Sequence, residues 1–194
     1  GEAAKRVRKW STQAREIASW YQHEELGYNY RMSNVIAGVV RNQFPHLDEH
    51  IAQKKAIYER YKEGFKGLPV KMNPYDSDNS EPNFWLSCMI IDENAMCKQV
   101  RGECDVLYTS EKGKSCPTEI LDAISSINAE GRPIWKPMHM QPVYENCDFI
   151  TAKEDGTSVA EDIFNRGLCL PSDIKNTRAD MERIIKVVRG MFEK

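Results

Sequence analysis

Apolar residues recur at spacings of three and four along several stretches of this chain and gather in short unbroken runs along others, so helical and extended segments alternate. Val7, Trp10, Ala14, Ile17 and Trp20 predict a helix across residues 2–20, or one broken near Ser11. Ser33 or Asn34 can cap a second helix, whose Val35, Ile36, Ala37, Val39 and Val40 precede Phe44 and read as a buried support for the turn before them. Pro45 interrupts that element. Residues 46–63 then set Leu47, Ile51, Ile57, Tyr58 and Tyr61 among charged neighbours, the pattern of a surface helix, which Gly64, Gly67 and Pro69 end. From Asn73 to Asn83, Pro74, Asp76, Ser77, Asp78 and Pro82 favour an irregular connection, which divides a helical segment, 1–72, from a second region, 73–194.

Phe84-Trp85-Leu86-Ser87-Cys88-Met89-Ile90-Ile91 is short and rich in strand formers, which predicts a buried strand ended by Asp92, Glu93 and Asn94. Lys98 to Pro117 is polar and irregular apart from a short strand at Val106-Leu107-Tyr108. Pro117 can start a helix striped by Ile120, Leu121, Ile124 and Ile127, stopped by Gly131 before a strand at Pro133-Ile134-Trp135. Ser158 caps a short helix to Asn165, with Glu161 at the capping-box position. Gly167 leads into a strand, Leu168-Cys169-Leu170, closed by Pro171. Thr177, with Asp180 three residues on, opens a final helix that turns Met181, Ile184, Ile185, Val188 and Met191 to the core. Such alternation implies an α/β layer, not a bundle or a sandwich.

The charge balance, 27 basic against 29 acidic residues, gives no field that would gather nucleic acid or an anionic membrane surface. No apolar run approaches the roughly twenty residues needed to cross a bilayer, and the N-terminus lacks a signal-like segment, so a cytoplasmic location is expected. Gly1 stands where an initiator methionine would, which suggests a processed end or a piece of a longer protein. Cys88, Cys97, Cys104, Cys116, Cys147 and Cys169 contain no CxxC pair and read as reduced thiols in or near the core. His46 and His50 share a helical face, but without a third clustered ligand no metal site is expected.

Two segments carry candidate chemistry. Gly27-Tyr28-Asn29-Tyr30-Arg31-Met32-Ser33-Asn34 sets amide and guanidinium donors just before a helix, so Asn29 and Arg31 can reach an anion while Tyr28 or Tyr30 lines the pocket. The plainer reading is a packed loop with a surface arginine and a helix cap. In Arg132-Pro133-Ile134-Trp135-Lys136-Pro137-Met138-His139, an indole, an ammonium and an imidazole can stack on a base, bind a diphosphate or assist proton transfer. Here the plainer reading is an aromatic strand end followed by a polar loop.

These two segments, with Asn165-Arg166-Gly167-Leu168-Cys169-Leu170-Pro171-Ser172, resemble in order and spacing the motifs of the DegT/DnrJ/EryC1/StrS sugar aminotransferases. The resemblance is to the C-terminal part of such enzymes, spans nearly all the chain, and is nearest the branch that aminates UDP-4-keto-6-deoxy-N-acetyl sugars. It implies the small α/β C-terminal domain of a fold-type I enzyme dependent on pyridoxal phosphate, with a small sheet flanked by helices. It also implies a homodimer in which the loop bearing Asn29 and Arg31 crosses to the neighbouring subunit. Asn29 would contact the cofactor phosphate and Arg31 would shape the shared site. Tyr30, Trp135, Lys136 and His139 would approach the nucleotide sugar, and Leu170 and Pro171 would be scaffold. Val40 and Asn42 depart from the smaller residues common in that branch.

The same resemblance places the large domain, with the Schiff-base lysine and the acidic partner of the pyridine nitrogen, before Gly1. Neither Lys5 nor Lys9 has the surroundings of that lysine. The isolated chain is therefore expected to lack turnover and not to retain the cofactor, while the longer protein transfers an amino group from glutamate to a 4-keto sugar. Exposed surface at Trp10, Trp20 or the Val35 to Val40 face is expected to favour self-association. The alternative is a stand-alone nucleotide-sugar-binding or protein-interaction module without catalysis.

Overall fold

A computed structural model describes residues 1–102 and 105–193, so Cys104, one of the expected reduced thiols, lies outside the described residues. The chain divides into two compact units, Gly1–Asp48 and Glu49–Lys194. That division follows compactness. The division after residue 72, expected from the irregular connection at 73–83, is taken up below as a proposal.

In the first unit, helix α1 spans Glu2–Ser11 and stops there. The Ser11 and Thr12 hydroxyls donate back to the Arg8 carbonyl, at 3.0 and 2.9 Å. Gln13 and Ala14 then take left-handed φ values of 65° and 51° and reverse the chain. Local side-chain bonds thus compete with the helix ladder, and of the two expected alternatives the break near Ser11 is the one observed, with no helix continuing to residue 20. Ala14 is fully buried by the reversal, whereas Ile17 and Trp20 are exposed. Helix α2, Asn34–Gln43, is capped by Ser33, whose Oγ accepts from the Ile36 N–H at 3.3 Å. Its apolar residues do not form the expected buried support: Val35 is 77% exposed, and Ile36, Val39 and Val40 are each about half exposed.

Helix α3, Leu47–Gly64, follows a single 3-10 turn at Phe44–His46. In the second unit, β1 (Val70–Met72), β2 (Ser87–Ile91), β5 (Arg132–Pro133) and β6 (Gly167–Leu170) form one sheet in the order β1-β2-β6-β5. Every pairing is antiparallel, with Cys88 opposite Cys169 and Met89 opposite Leu168. A separate hairpin joins β3 (Gln99–Arg101) to β4 (Val106–Tyr108). Helices α4 (Pro117–Ser126), α5 (Val159–Arg166) and α6 (Arg178–Glu193) complete an α/β layer of small antiparallel sheets flanked by helices. The alternation along β2 sends Ser87, Met89 and Ile91 inward. Met89 and Ile91 share a core with Ile57 and Tyr61 of α3, Ile120 and Ile124 of α4, and Met181, Ile184 and Val188 of α6.

The strand expected over residues 84–91 starts only at Ser87. Phe84 takes a left-handed φ of 52° and packs its ring against Tyr58 and Tyr75, with centroids 5.4 and 5.2 Å away. That turn leaves Trp85 exposed.

The start of α6 follows its sequence signature. The Thr177 N–H donates to Asp180 Oδ2 at 3.1 Å and the Asp180 N–H donates to Thr177 Oγ1 at 3.2 Å, a reciprocal cap. The Thr177 hydroxyl and amide hold the Asp180 carboxyl below its ordinary value of 3.8. Thr177→Ala is expected to cost about 1 kcal/mol, measured by urea unfolding at neutral pH. A carboxyl depressed on folding contributes stability that is complete above the ordinary value and is lost as pH falls through the depressed one. The gap between wild type and variant should therefore narrow in acid.

Candidate functional site

Residues 28–30 are fixed by main-chain bonds to the end of α1. The Tyr28 N–H donates to the Trp10 carbonyl at 2.9 Å, the Gln13 N–H to the Tyr28 carbonyl at 3.0 Å, and the Tyr30 N–H to the Ser11 carbonyl at 3.1 Å. Asn29 faces Thr12 across an antiparallel bridge. The two segments approach so closely at Gly27 that a β-carbon there would lie 2.3 Å from the Ala14 nitrogen, which leaves room for glycine alone.

This pairing delivers Arg31 to a cavity of about 570 Å³ lined also by Arg8, Lys9, Ser11, Thr12 and Arg15. The Lys9 ammonium sits 2.5 Å from Glu16 and 2.9 Å from Glu25. Hydrogen bonds to those two carboxylates push its pKa well above the ordinary lysine value. Glu25 is held down in turn, first by the Trp10 indole N–H, which donates at 2.9 Å, and then by Lys9. With Lys9 matched by two carboxylates, the guanidiniums of Arg8, Arg15 and Arg31 are the cavity's remaining cationic groups, of a type that can receive an anion. Arg15 also lies over the Tyr21 ring, 4.2 Å from its centroid. The Ser11 and Thr12 hydroxyls are committed to the Arg8 carbonyl and the Glu16 carboxylate also lines the cavity, so the three forked guanidiniums are its donors to an anion. Asn29 and Tyr30 are exposed and do not line this cavity; the Tyr30 ring lies 5.4 Å from that of Tyr28.

The second unit holds a cavity of about 700 Å³, lined by Trp85, Arg132, Trp135, Lys136, Phe164 and Cys169 among others. Trp85 and Trp135 are 6.1 Å apart between ring centroids and tilted by 36°. Its rim is tied to α3 and β2. Lys54 Nζ donates to the carbonyls of Trp85 and Ser172, the Tyr61 hydroxyl donates to the Pro171 carbonyl at 2.7 Å, and the Ser87 N–H donates to Ser172 Oγ at 3.0 Å. Burial pushes the Tyr61 phenol above its ordinary range, so it remains a donor.

Trp135 and Lys136 are thus brought together, but His139 does not line their cavity. It lies on the 3-10 turn Met138–Met140, stacked on Phe149 at 4.0 Å between centroids. Its buried Nε2 has no hydrogen-bond partner and is 4.0 Å from Glu161 Oε2. Reasoning from sequence missed Arg8, Arg15, Trp85 and Phe164. Trp85 was hidden in an apolar run that reads as strand, and no spacing rule links Arg8 and Arg15 to Arg31.

Among the described residues, no group of three or more His, Cys, Asp or Glu side chains is placed to hold a metal ion. No helix among them is long and apolar enough to cross a membrane.

A model of the DegT/DnrJ/EryC1/StrS aminotransferase family matches residues 1–189. The protein EpsN of Bacillus subtilis, named provisionally as a pyridoxal phosphate-dependent aminotransferase, is 35% identical over 192 residues, covering 98% of this chain and 44% of EpsN. GDP-perosamine synthase of Vibrio cholerae is 27% identical over 152 residues, covering 78% of this chain and 35% of that enzyme. Among solved structures, a DegT DnrJ EryC1 StrS aminotransferase from Brucella abortus superposes with a TM-score of 0.73 at 19% identity, over 100% of this chain and 44% of that one. The chain therefore spans less than half the length of the curated relatives it matches.

Proposed function

The chain belongs to the DegT/DnrJ/EryC1/StrS aminotransferase family, and on that premise we propose that it is the C-terminal part of a cytoplasmic enzyme dependent on pyridoxal phosphate. The whole enzyme moves an amino group from glutamate to the 4-keto group of a UDP-linked deoxy sugar. The carrying observation is the cavity where Arg31 meets Arg8 and Arg15, a donor set that fits the cofactor's phosphate.

Pyridoxal phosphate, when bound, supplies the electron-withdrawing ring on which amine transfer depends. This chain's residues bind and orient. Arg31, with Arg8 and Arg15, would hold the phosphate, and Asn29, exposed outside this cavity, would offer its amide to the cofactor in a homodimer whose partner receives this loop. Tyr30 presents an open aromatic face to the substrate. Trp85 and Trp135 offer ring faces to a nucleobase, and Lys136 and Arg132 offer charge to its diphosphate. His139, stacked on Phe149 outside this cavity, is given no contact with the substrate. Lys9, held as an ammonium by two carboxylates, is unsuited to anchor the cofactor covalently. That role falls to a lysine of the large domain, in polypeptide before Gly1, and residues 1–72 join the two parts.

The longer protein, with that domain, is expected to aminate a UDP-linked 4-keto sugar with glutamate, while the 194-residue chain supplied with pyridoxal phosphate is expected to release no aminosugar. Turnover by the chain alone would overturn the assignment of the anchoring lysine. In the longer protein, Arg31→Met should weaken cofactor binding roughly 10- to 100-fold, the scale of a lost charge-assisted hydrogen bond. An unchanged cofactor titration would remove Arg31 from the site. The name of the Vibrio cholerae relative favours a second reading, a GDP-linked sugar, and the assay decides between the two nucleotides. Specific UDP-sugar binding by the chain alone, lost in Trp135→Ala, would instead favour a stand-alone binding module.

A further inference from the structure

Cys88 and Cys169 face each other across the pairing of β2 with β6. Both main-chain groups of Cys88 are committed to the other side: its N–H donates to Asn73 Oδ1 at 2.9 Å, and its carbonyl accepts from the Asn73 N–H at 2.9 Å. Toward β6, therefore, Cys88 and Cys169 form a non-hydrogen-bonded pair, the type whose Cα atoms approach to about 4.5 Å. That separation lies within the range a disulfide spans, roughly 4.4–6.8 Å. The two sulfurs are 3.6 Å apart.

We propose that Cys88 and Cys169 are a redox modification site that closes to a cross-strand disulfide when a small peroxide enters the aromatic cavity. Cys169, itself buried, lines that cavity, and Cys88, the more exposed of the two, faces it across the strand pair. Cys169 is the attacking sulfur because it lines the cavity that the peroxide enters, beside Arg132, and the Cys88 thiol and then Arg132 favour its thiolate. The Cys169 thiolate attacks one oxygen of hydrogen peroxide, the O–O bond breaks, and hydroxide leaves and takes up a proton to become water. The sulfenic acid so formed is attacked by the Cys88 sulfur. The S–S bond forms, the S–O bond breaks, and the Cys88 proton goes out with the leaving hydroxide as a second water. Two thiols lose two electrons and peroxide gains them. The product ties β2 to β6 at the cavity wall.

The test is peroxide treatment of the folded chain, alkylation of remaining thiols, and peptide mass spectrometry. The expected result is a linked peptide containing Cys88 and Cys169, lighter by two hydrogens than its separate parts and released by dithiothreitol. Cys147, exposed and outside this pair, should be linked to neither. Cys88→Ser should let a sulfenic acid on Cys169 be trapped by dimedone, and Cys169→Ser should abolish both products. Because the linked peptide is read in the wild-type chain, the proposal does not depend on either variant folding. Recovery of both cysteines as alkylated or sulfinic species, without the linked peptide, would overturn it.

Discussion

Gly27→Val is expected to free residues 28–31 from the end of α1, at a cost of about 3 kcal/mol, the upper end of the usual overpacking range. The added β-carbon would meet the Ala14 nitrogen at 2.3 Å and the Gln13 carbonyl carbon at 2.5 Å, main-chain atoms that no side-chain rotation can move. Relief requires the strand to lift, which breaks the three main-chain bonds around Tyr28 and Tyr30. Amide hydrogen exchange should show Tyr28, Tyr30 and Gln13 losing protection while the amides of β2 and β6 keep theirs. Unchanged protection at Tyr28 would mean that this close approach is absent in solution. Anion binding at Arg31 should fall in parallel, because the pairing sets the position of the guanidinium.

Leu168→Ala should produce a comparable loss in the second unit, by cavity formation instead of clash. Leu168 is fully buried on the central strand β6, opposite Met89, within the main core. Truncation of such a leucine costs about 3 kcal/mol and should lower the midpoint of thermal unfolding by roughly 10 °C for a chain of this size. Leu107, 70% exposed on β4, is the control, and its replacement by alanine should shift the midpoint by no more than about 2 °C. Equal effects at the two positions would contradict the placement of the core.

Elements with a repeating stripe and a cap were legible in the sequence. α6 needed only Thr177, Asp180 and the spacing of Met181, Ile184 and Val188, because capping and burial are both local patterns. β1 and β3 escaped because Lys71, Gln99 and Arg101 interrupt their apolar residues, whereas the equally short β4 shows an unbroken Val106-Leu107-Tyr108, and their pairing partners supply the order that sequence withholds. The break near Ser11 was one of two readings, but the chain reversal that follows it was not legible. Gln13, Ala14 and Phe84 adopt left-handed backbone conformations without being glycine, and nothing in their identity announces this.

The candidate site divides in the same way. Arg31, Trp135 and Lys136 were visible as unusual residue types in motif-like segments. Arg8 and Arg15 join Arg31 only because the chain reverses at Gln13 and Ala14. The buried support expected beneath the first motif is instead an exposed apolar face on α2, since alternating patterns reveal amphipathicity but not what covers it.

The rim of the aromatic cavity has a thermodynamic consequence of its own. Lys54, Tyr61 and Ser87 already fasten the main chain at Trp85, Pro171 and Ser172, so a guest meets a preorganised wall and little backbone entropy is forfeited on capture. The freedom left to lose belongs to the side chains of Trp135 and Lys136. Removing the Lys54 ammonium would therefore weaken affinity through disorder in the empty receptor, although Lys54 itself touches no ligand.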